Sequence, residues 1–228
     1  MRHTDETRRQ FLLRALAAGL FVAAPISHGE VLGKVPRPLL PGKSIYSLNG
    51  TLLVNGKVAN EDTLITANDT LHTGSNSQAI FAVGHDAFIL RENSELSMSS
   101  DGALIGGLRL VSGALLSVFG KSRHQIVTPT ATIGIRGTGV YAEATADVSY
   151  ICTCYGITEI AASSAPDNKQ TITSKHHDDP RYITSAGEIQ TAPFINHTDE
   201  ELMLIETLVG RVTPFSLFDD GYGGPKRY

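Results

Sequence analysis

From Ile45 to Ala142 turn-forming residues interrupt the chain about every eight to twelve positions, too often for helices. The apolar runs between them are short and rich in Ile, Val, Leu and Thr. They are Tyr46–Leu48, Leu52–Val54, Thr63–Ile65, Gln78–Val83, Ala87–Leu90, Glu95–Met98, Gly107–Val111 and Ala114–Phe119. Asn55-Gly56, Gly74–Ser77, Gly84–Asp86, Asp101-Gly102 and Ser112-Gly113 separate them. Asn-Gly is a hairpin signal because both residues tolerate positive φ. Two further strands follow between Val127 and Ala142. No stretch before residue 195 keeps a helical period. The expected fold is mostly β, a multi-stranded sandwich, roll or solenoid-like unit.

One short helix is expected near 198–209. Thr198-Asp199-Glu200-Glu201 reads as a capping box, in which Thr198 accepts from the Glu201 amide and Glu201 reaches back. Leu202, Ile205, Leu208 and Val209 form one apolar face, and Gly210 and Pro214 end the helix.

At the other end, Arg8-Arg9-Gln10-Phe11-Leu12 precedes an apolar stretch from Ala15 to about Ile26. A basic start and a short hydrophobic run are the pattern of a secretory signal. The paired arginines resemble the twin-arginine export motif. A membrane span needs about 20 apolar residues, more than this run offers. Residues 1–29 are therefore expected to be a signal peptide, cleaved after Ala24 or Gly29, and the mature protein to be periplasmic or secreted without a membrane span. Processing would leave 15 Lys and Arg against 21 Asp and Glu. That acidic balance argues against nucleic acid as a partner. Residues 30–43, with Pro36, Pro38 and Pro41, read as a linker, and 219–228 as a flexible tail.

The span 44–145 resembles the periplasmic FecR domain. The resemblance rests on Asn55-Gly56, Leu71–Ala79, the pair around His85-Asp86, Leu110–Ala114, and above all Thr128-Pro129-Thr130-Ala131-Thr132-Ile133-Gly134-Ile135-Arg136-Gly137-Thr138. Members of that family often relay outer-membrane iron-complex uptake to a sigma factor through a cytoplasmic anti-sigma domain and one transmembrane helix. This sequence shows neither pattern. The expectation is an envelope module that binds a small ligand or a partner protein, with metal sensing as one form of it. Within the motif, Gly137 would allow a bend and Arg136, with Thr138 beside it, would tie loop carbonyls as a buried architectural arginine.

Residues 146–218 hold the side chains with most chemistry. Cys152 and Cys154 are the only cysteines. In a strand, residues i and i+2 share a face, so both sulfurs point one way. Their β-carbons, about 7 Å apart, are too distant for a disulfide. Two thiolates on one tetrahedral ion need less convergence. His176, His177 and His197 are the candidate partners. In an extended His-His pair the rings point to opposite faces, so one of His176 and His177 is expected to ligate. Such a set suits zinc, copper or iron, or a haem. Two small buried cysteines, a solvated His-His-Asp-Asp loop and a histidine leading into a helix cap would account for the same residues. His72, His85 and His124 fall at turns and carry no functional reading. No hydrolase elbow, phosphate loop, metalloprotease helix or dinucleotide fingerprint is present. A binding module is the first expectation. A metal-dependent or thiol redox enzyme using Cys152, Cys154 and the histidines is the alternative.

Replacing Arg8 and Arg9 together by Lys keeps the charge and should leave precursor in the cytoplasm. Normal processing of that variant would assign the chain to general secretion.

Overall fold

The computed structural model describes residues 37–101 and 104–215. The signal segment, the first half of the linker and the C-terminal tail lie outside the described residues. Among the described residues fourteen strands and one helix follow in chain order: β1 (Ile45–Asn49), β2 (Leu52–Val54), β3 (Lys57–Val58), β4 (Thr70–Thr73), β5 (Gln78–Val83), β6 (Asp86–Leu90) and β7 (Glu95–Asp101). Then come β8 (Leu104–Val118), β9 (Arg123–Val127), β10 (Ala131–Ala144), β11 (Val148–Ala162), β12 (Ala165–Ser174), β13 (Arg181–Thr184), β14 (Ile189–Thr191) and α1 (Asp199–Leu208). The protein is mostly β with a short C-terminal helix, as its turn spacing implies.

All strands belong to one mixed sheet, antiparallel except where β8 meets β9. The sheet has two halves because β8, β10 and β11 change partners midway. The first half of β8 pairs with β7 and β9, and its last residues pair with β6 and β10. In β10, residues 132–136 pair with β9, and residues 139–144 pair with β8. β11 holds β12 along residues 156–162 and β13 along residues 148–151.

A left-handed glycine marks each change: Gly113 (φ 85°) in β8, Gly137 (φ 54°) in β10 and Gly156 (φ 91°) in β11. Other residues rarely adopt that conformation. At Gly113 and Gly156 space is also forbidding. A Cβ at Gly113 would lie 2.1 Å from Ser94 Oγ, and one at Gly156 would lie 2.2 Å from Thr138 Cγ2. Ser112-Gly113 therefore bends a single strand, where its composition reads as a turn between two. Gly137 coincides with a register shift between Arg136 and Gly139, the bend expected of it.

One core lies on the inner face of both halves. Leu52, Leu71, Leu96, Leu110, Ile126, Ile133 and Ile160 meet Phe81, Phe88, Leu90, Leu115, Val140 and Ile151 there. Each such side chain stabilises the fold by about 1.5–3 kcal/mol. The run Thr63–Ile65 is a loop instead of a strand. Asn60 and Asp69 turn the backbone on either side of it through side-chain bonds to Asp62 N and Thr66 N, and Ile65 alone drops into the core.

The outer face of the second half is buried too. A row of register partners crosses it, reading Ile80, Ile89, Leu116, Tyr141 and Cys152. Every member is almost wholly shielded from solvent. α1 covers this face, touching β5, β6 and β8, with Leu202, Ile205 and Leu208 turned inward. The sheet runs unbroken from β10 into β11, so residues 44–145 and 146–218 share it.

Gly156→Ala should cost about 1–2 kcal/mol for its backbone and a further ~1–3 kcal/mol for the collision with Thr138. Gly210→Ala, left-handed (φ 73°) with nothing within 4 Å, should cost only the first part. Urea denaturation of the two variants checks the difference.

Candidate metal centre

Cys152 and Cys154 lie on the outer, helix-covered face of β11, both at 0% exposure. Neither is in a disulfide. The strand places the sulfurs, and two turns bring the imidazoles. Residues 175–178 are gathered by Asp178, whose carboxylate accepts from the amides of Lys175 (2.6 Å) and His176 (3.3 Å). The chain then reverses at His177, itself left-handed (φ 55°), and the His177 amide donates to the Cys154 carbonyl at 2.9 Å. His197 arrives from the opposite side, between left-handed Asn196 (φ 61°) and the helix cap Thr198.

One ligand atom from each of Cys152, Cys154, His177 and His197 lies within 4.8 Å of all the others. Cys152 Sγ is 3.4 Å from His177 Nδ1, Cys154 Sγ is 3.4 Å from His197 Nε2, and the two nitrogens are 3.1 Å apart. With metal–sulfur bonds of about 2.3 Å and metal–nitrogen bonds of about 2.0 Å, a tetrahedron sets S and N about 3.5 Å apart. It sets two N about 3.3 Å apart. The two S–N distances and the N–N distance match those values, and the remaining separations stay within 4.8 Å. Convergence of four ligands on one point suits a single ion, whereas a haem takes one or two axial ligands.

The outward nitrogens are engaged as well. His177 Nε2 is 3.0 Å from Asp199 Oδ1, and His197 Nδ1 is 2.7 Å from the Ile195 carbonyl. Both acceptors draw the ring proton to that side, the pattern that fixes the tautomer of a ligating histidine. Lone pairs on His177 Nδ1 and His197 Nε2 then face each other across 3.1 Å. A metal ion between them would satisfy both lone pairs, as would a proton on His177 Nδ1, the state that Cys152 and Asp199 favour. One thiol is poised as an anion and the other is not. A hydrogen bond from Cys154 pulls Cys152 down to about 4, helped by His177 and His197, whereas burial pushes Cys154 up. Burial alone would lower His177, but Cys152 and Asp199 together raise it.

Aromatic rings close the surroundings. His197 stacks on Tyr141 with centroids 4.4 Å apart, and Phe194 lies 4.4 Å from His177 and 4.6 Å from His197. The Tyr155 hydroxyl donates to buried Glu206 on α1, and Arg211 binds the same carboxylate at 2.6 Å. Gly139 makes room for the Tyr155 ring, since a Cβ there would fall 2.5 Å from Cε1.

His176 does not join the four. It is half exposed, and its Nε2 is 2.9 Å from both oxygens of Asp199. The turn at His177 brings both rings of the pair to Asp199, so the extended geometry that would set them on opposite faces does not apply. Asp199 is the residue that the sequence did not single out for this site. Its signal was its place at the first position of a capped helix two residues after His197. Arg136 also departs from expectation. It is exposed and makes no hydrogen bond to a carbonyl among the described residues. Strand alternation turns it to the outer face opposite Arg123. Thr138 is fully buried against Gly156.

No family model and no curated protein matches this chain. Two crystal structures of a provisionally assigned anti-sigma factor from Parabacteroides distasonis ATCC 8503, at 1.65 Å and 2.50 Å resolution, are similar to it. Their TM-scores are 0.44 and 0.46, at 10% and 9% sequence identity. Each match covers 54% of this chain and 58% of the other, so this chain spans little more than half of the protein it matches.

Asp199→Asn keeps the shape but weakens the acceptor behind His177. Zinc affinity should fall about 10–100-fold, measured by competition with a chromogenic chelator.

Proposed function

We propose that this chain is an exported envelope module of FecR-like type that binds a small ligand or partner protein and whose fold is fastened by one zinc-class ion on Cys152, Cys154, His177 and His197. The observation that carries the metal reading is the convergence of two sulfurs and two imidazole nitrogens, all within 4.8 Å of one another, with both outward nitrogens held by acceptors. Four protein ligands, three buried and His177 half-buried, describe a closed structural site and leave no position for substrate or water. Two thiolates and a divalent cation cancel, so the centre can be buried without an uncompensated charge. Tetrahedral S2N2 sets favour zinc over harder cations. The ion would join β11, the loop before β13 and the segment leading into α1, three parts distant in sequence. Export and envelope location rest on Arg8-Arg9 and the apolar run behind them, and the FecR-like reading rests on Thr128–Thr138.

An enzyme reading has one observation in its favour. Cys152, His177 and Asp199 form a chain of 3.4 Å and 3.0 Å, the order of nucleophile, base and orienting group. Burial of Cys152 opposes it, because no substrate reaches the sulfur without displacing the loop.

Purified protein should hold one zinc per chain by elemental analysis, and Cys152→Ser with Cys154→Ser should hold none. Cobalt(II) in place of zinc should give the visible bands of tetrahedral coordination and thiolate charge transfer in the near ultraviolet. Octahedral cobalt spectra, or full zinc retention in the double variant, would remove the site. Rapid alkylation of Cys152 in zinc-loaded protein would favour the enzyme.

A further inference from the structure

The outer face of β9–β12, on the first half of the sheet, carries no helix among the described residues and has its own chemistry. Strand register sets two rows of side chains across it. One row reads Arg123, Arg136, Ile157 and Thr173, and the next reads Gln125, Gly134, Glu159 and Thr171. Arg123 and Arg136 are directly opposed, a placement that is unfavourable for like charges. Among the described residues neither guanidinium has a carboxylate within 4.0 Å. Glu159, the one acid in the two rows, faces Lys169 at 3.6 Å. Beside the arginines, Gly134 leaves the floor bare, and a Cβ there would meet nothing closer than 3.8 Å. Ile157 stands next to this dent at 43% exposure, one of few large apolar side chains left in solvent. The resulting groove holds about 410 Å³, within the usual range for small-molecule sites.

We infer that this groove binds a small amphipathic anion, a phosphate- or carboxylate-bearing molecule with a short apolar portion. The opposed arginine forks would take the anionic group, since planar donors match phosphate and carboxylate oxygens in pairs. The anion would also relieve the repulsion between them. The apolar portion would lie in the dent over Gly134 against Ile157, with the Thr171 hydroxyl at its edge. This surface lies on the other half of the sheet from the Cys/His centre, and the inference does not depend on the metal.

Octyl phosphate, kept monomeric, is a suitable probe in isothermal titration with the intact protein. Arg123→Gln and Arg136→Gln should each weaken binding about tenfold, as loss of one charged hydrogen-bond partner implies. Both sites are exposed, so thermal unfolding should be unchanged. Glu159→Gln should tighten binding. Gly134→Val fills the dent without touching charge. It should weaken octyl phosphate and leave inorganic phosphate, the weaker ligand, unaffected. Equal affinity for octyl phosphate and inorganic phosphate would overturn the inference, as would undiminished binding in the double arginine variant. Binding to phosphatidylglycerol vesicles without binding to monomeric octyl phosphate would also overturn it, making the face a membrane contact.

Discussion

Three glycines in the left-handed region, Gly113, Gly137 and Gly156, hold the architecture together by letting three long strands bend without ending. Each bend passes a strand from one half of the sheet to the other, and the two inner faces then enclose one core. The close approach of Gly156 to Thr138 shows how tightly the bends nest. Kinked strands avoid cutting the sheet into separate hairpins, so the backbone groups at the bends stay near pairing partners, as buried polar groups require. The second half of the sheet also gains an outer face wide enough to need a cover.

That cover begins beside the Cys/His cluster, at the N-terminus of α1. A ten-residue helix is marginal by itself, and its stability comes from packing and caps. Here the capping box at Thr198 and Glu201, the Arg91–Glu201 ion pair at 2.7 Å and the Tyr155–Glu206–Arg211 network all fix the same helix. His197 and Asp199 flank Thr198. An ion on Cys152, Cys154, His177 and His197 would therefore act on the helix through its first turn. The acids of that turn already complement the helix dipole, and Asp199 also serves His177.

The two halves of the sheet thus divide their outer faces by chemistry. One is apolar, aromatic and sulfur-bearing, and the helix closes it. The other keeps an arginine pair, a bare glycine and an exposed isoleucine open to solvent. Alternation along β10 and β11 produces both, because the glycine bends carry the same strands from one environment into the other.

The sequence by itself determined what local rules govern. Turn spacing dictated a β protein, Asn55-Gly56 a two-residue hairpin with both φ positive, and Thr198–Glu201 a capped helix. The i, i+2 spacing of Cys152 and Cys154 put both sulfurs on one face, since strand periodicity is local. The tertiary structure alone decided the rest, because it depends on which distant strands pair and where loops return. Gly113 reads locally as a turn and becomes a bend only once β6 and β10 flank β8. The choice of His177 over His176 follows from a left-handed turn held by Asp178, against the extended geometry that the pair suggests when taken alone. Asp199 enters the centre, and Arg136 faces Arg123 in the groove, through contacts between segments that no local pattern relates.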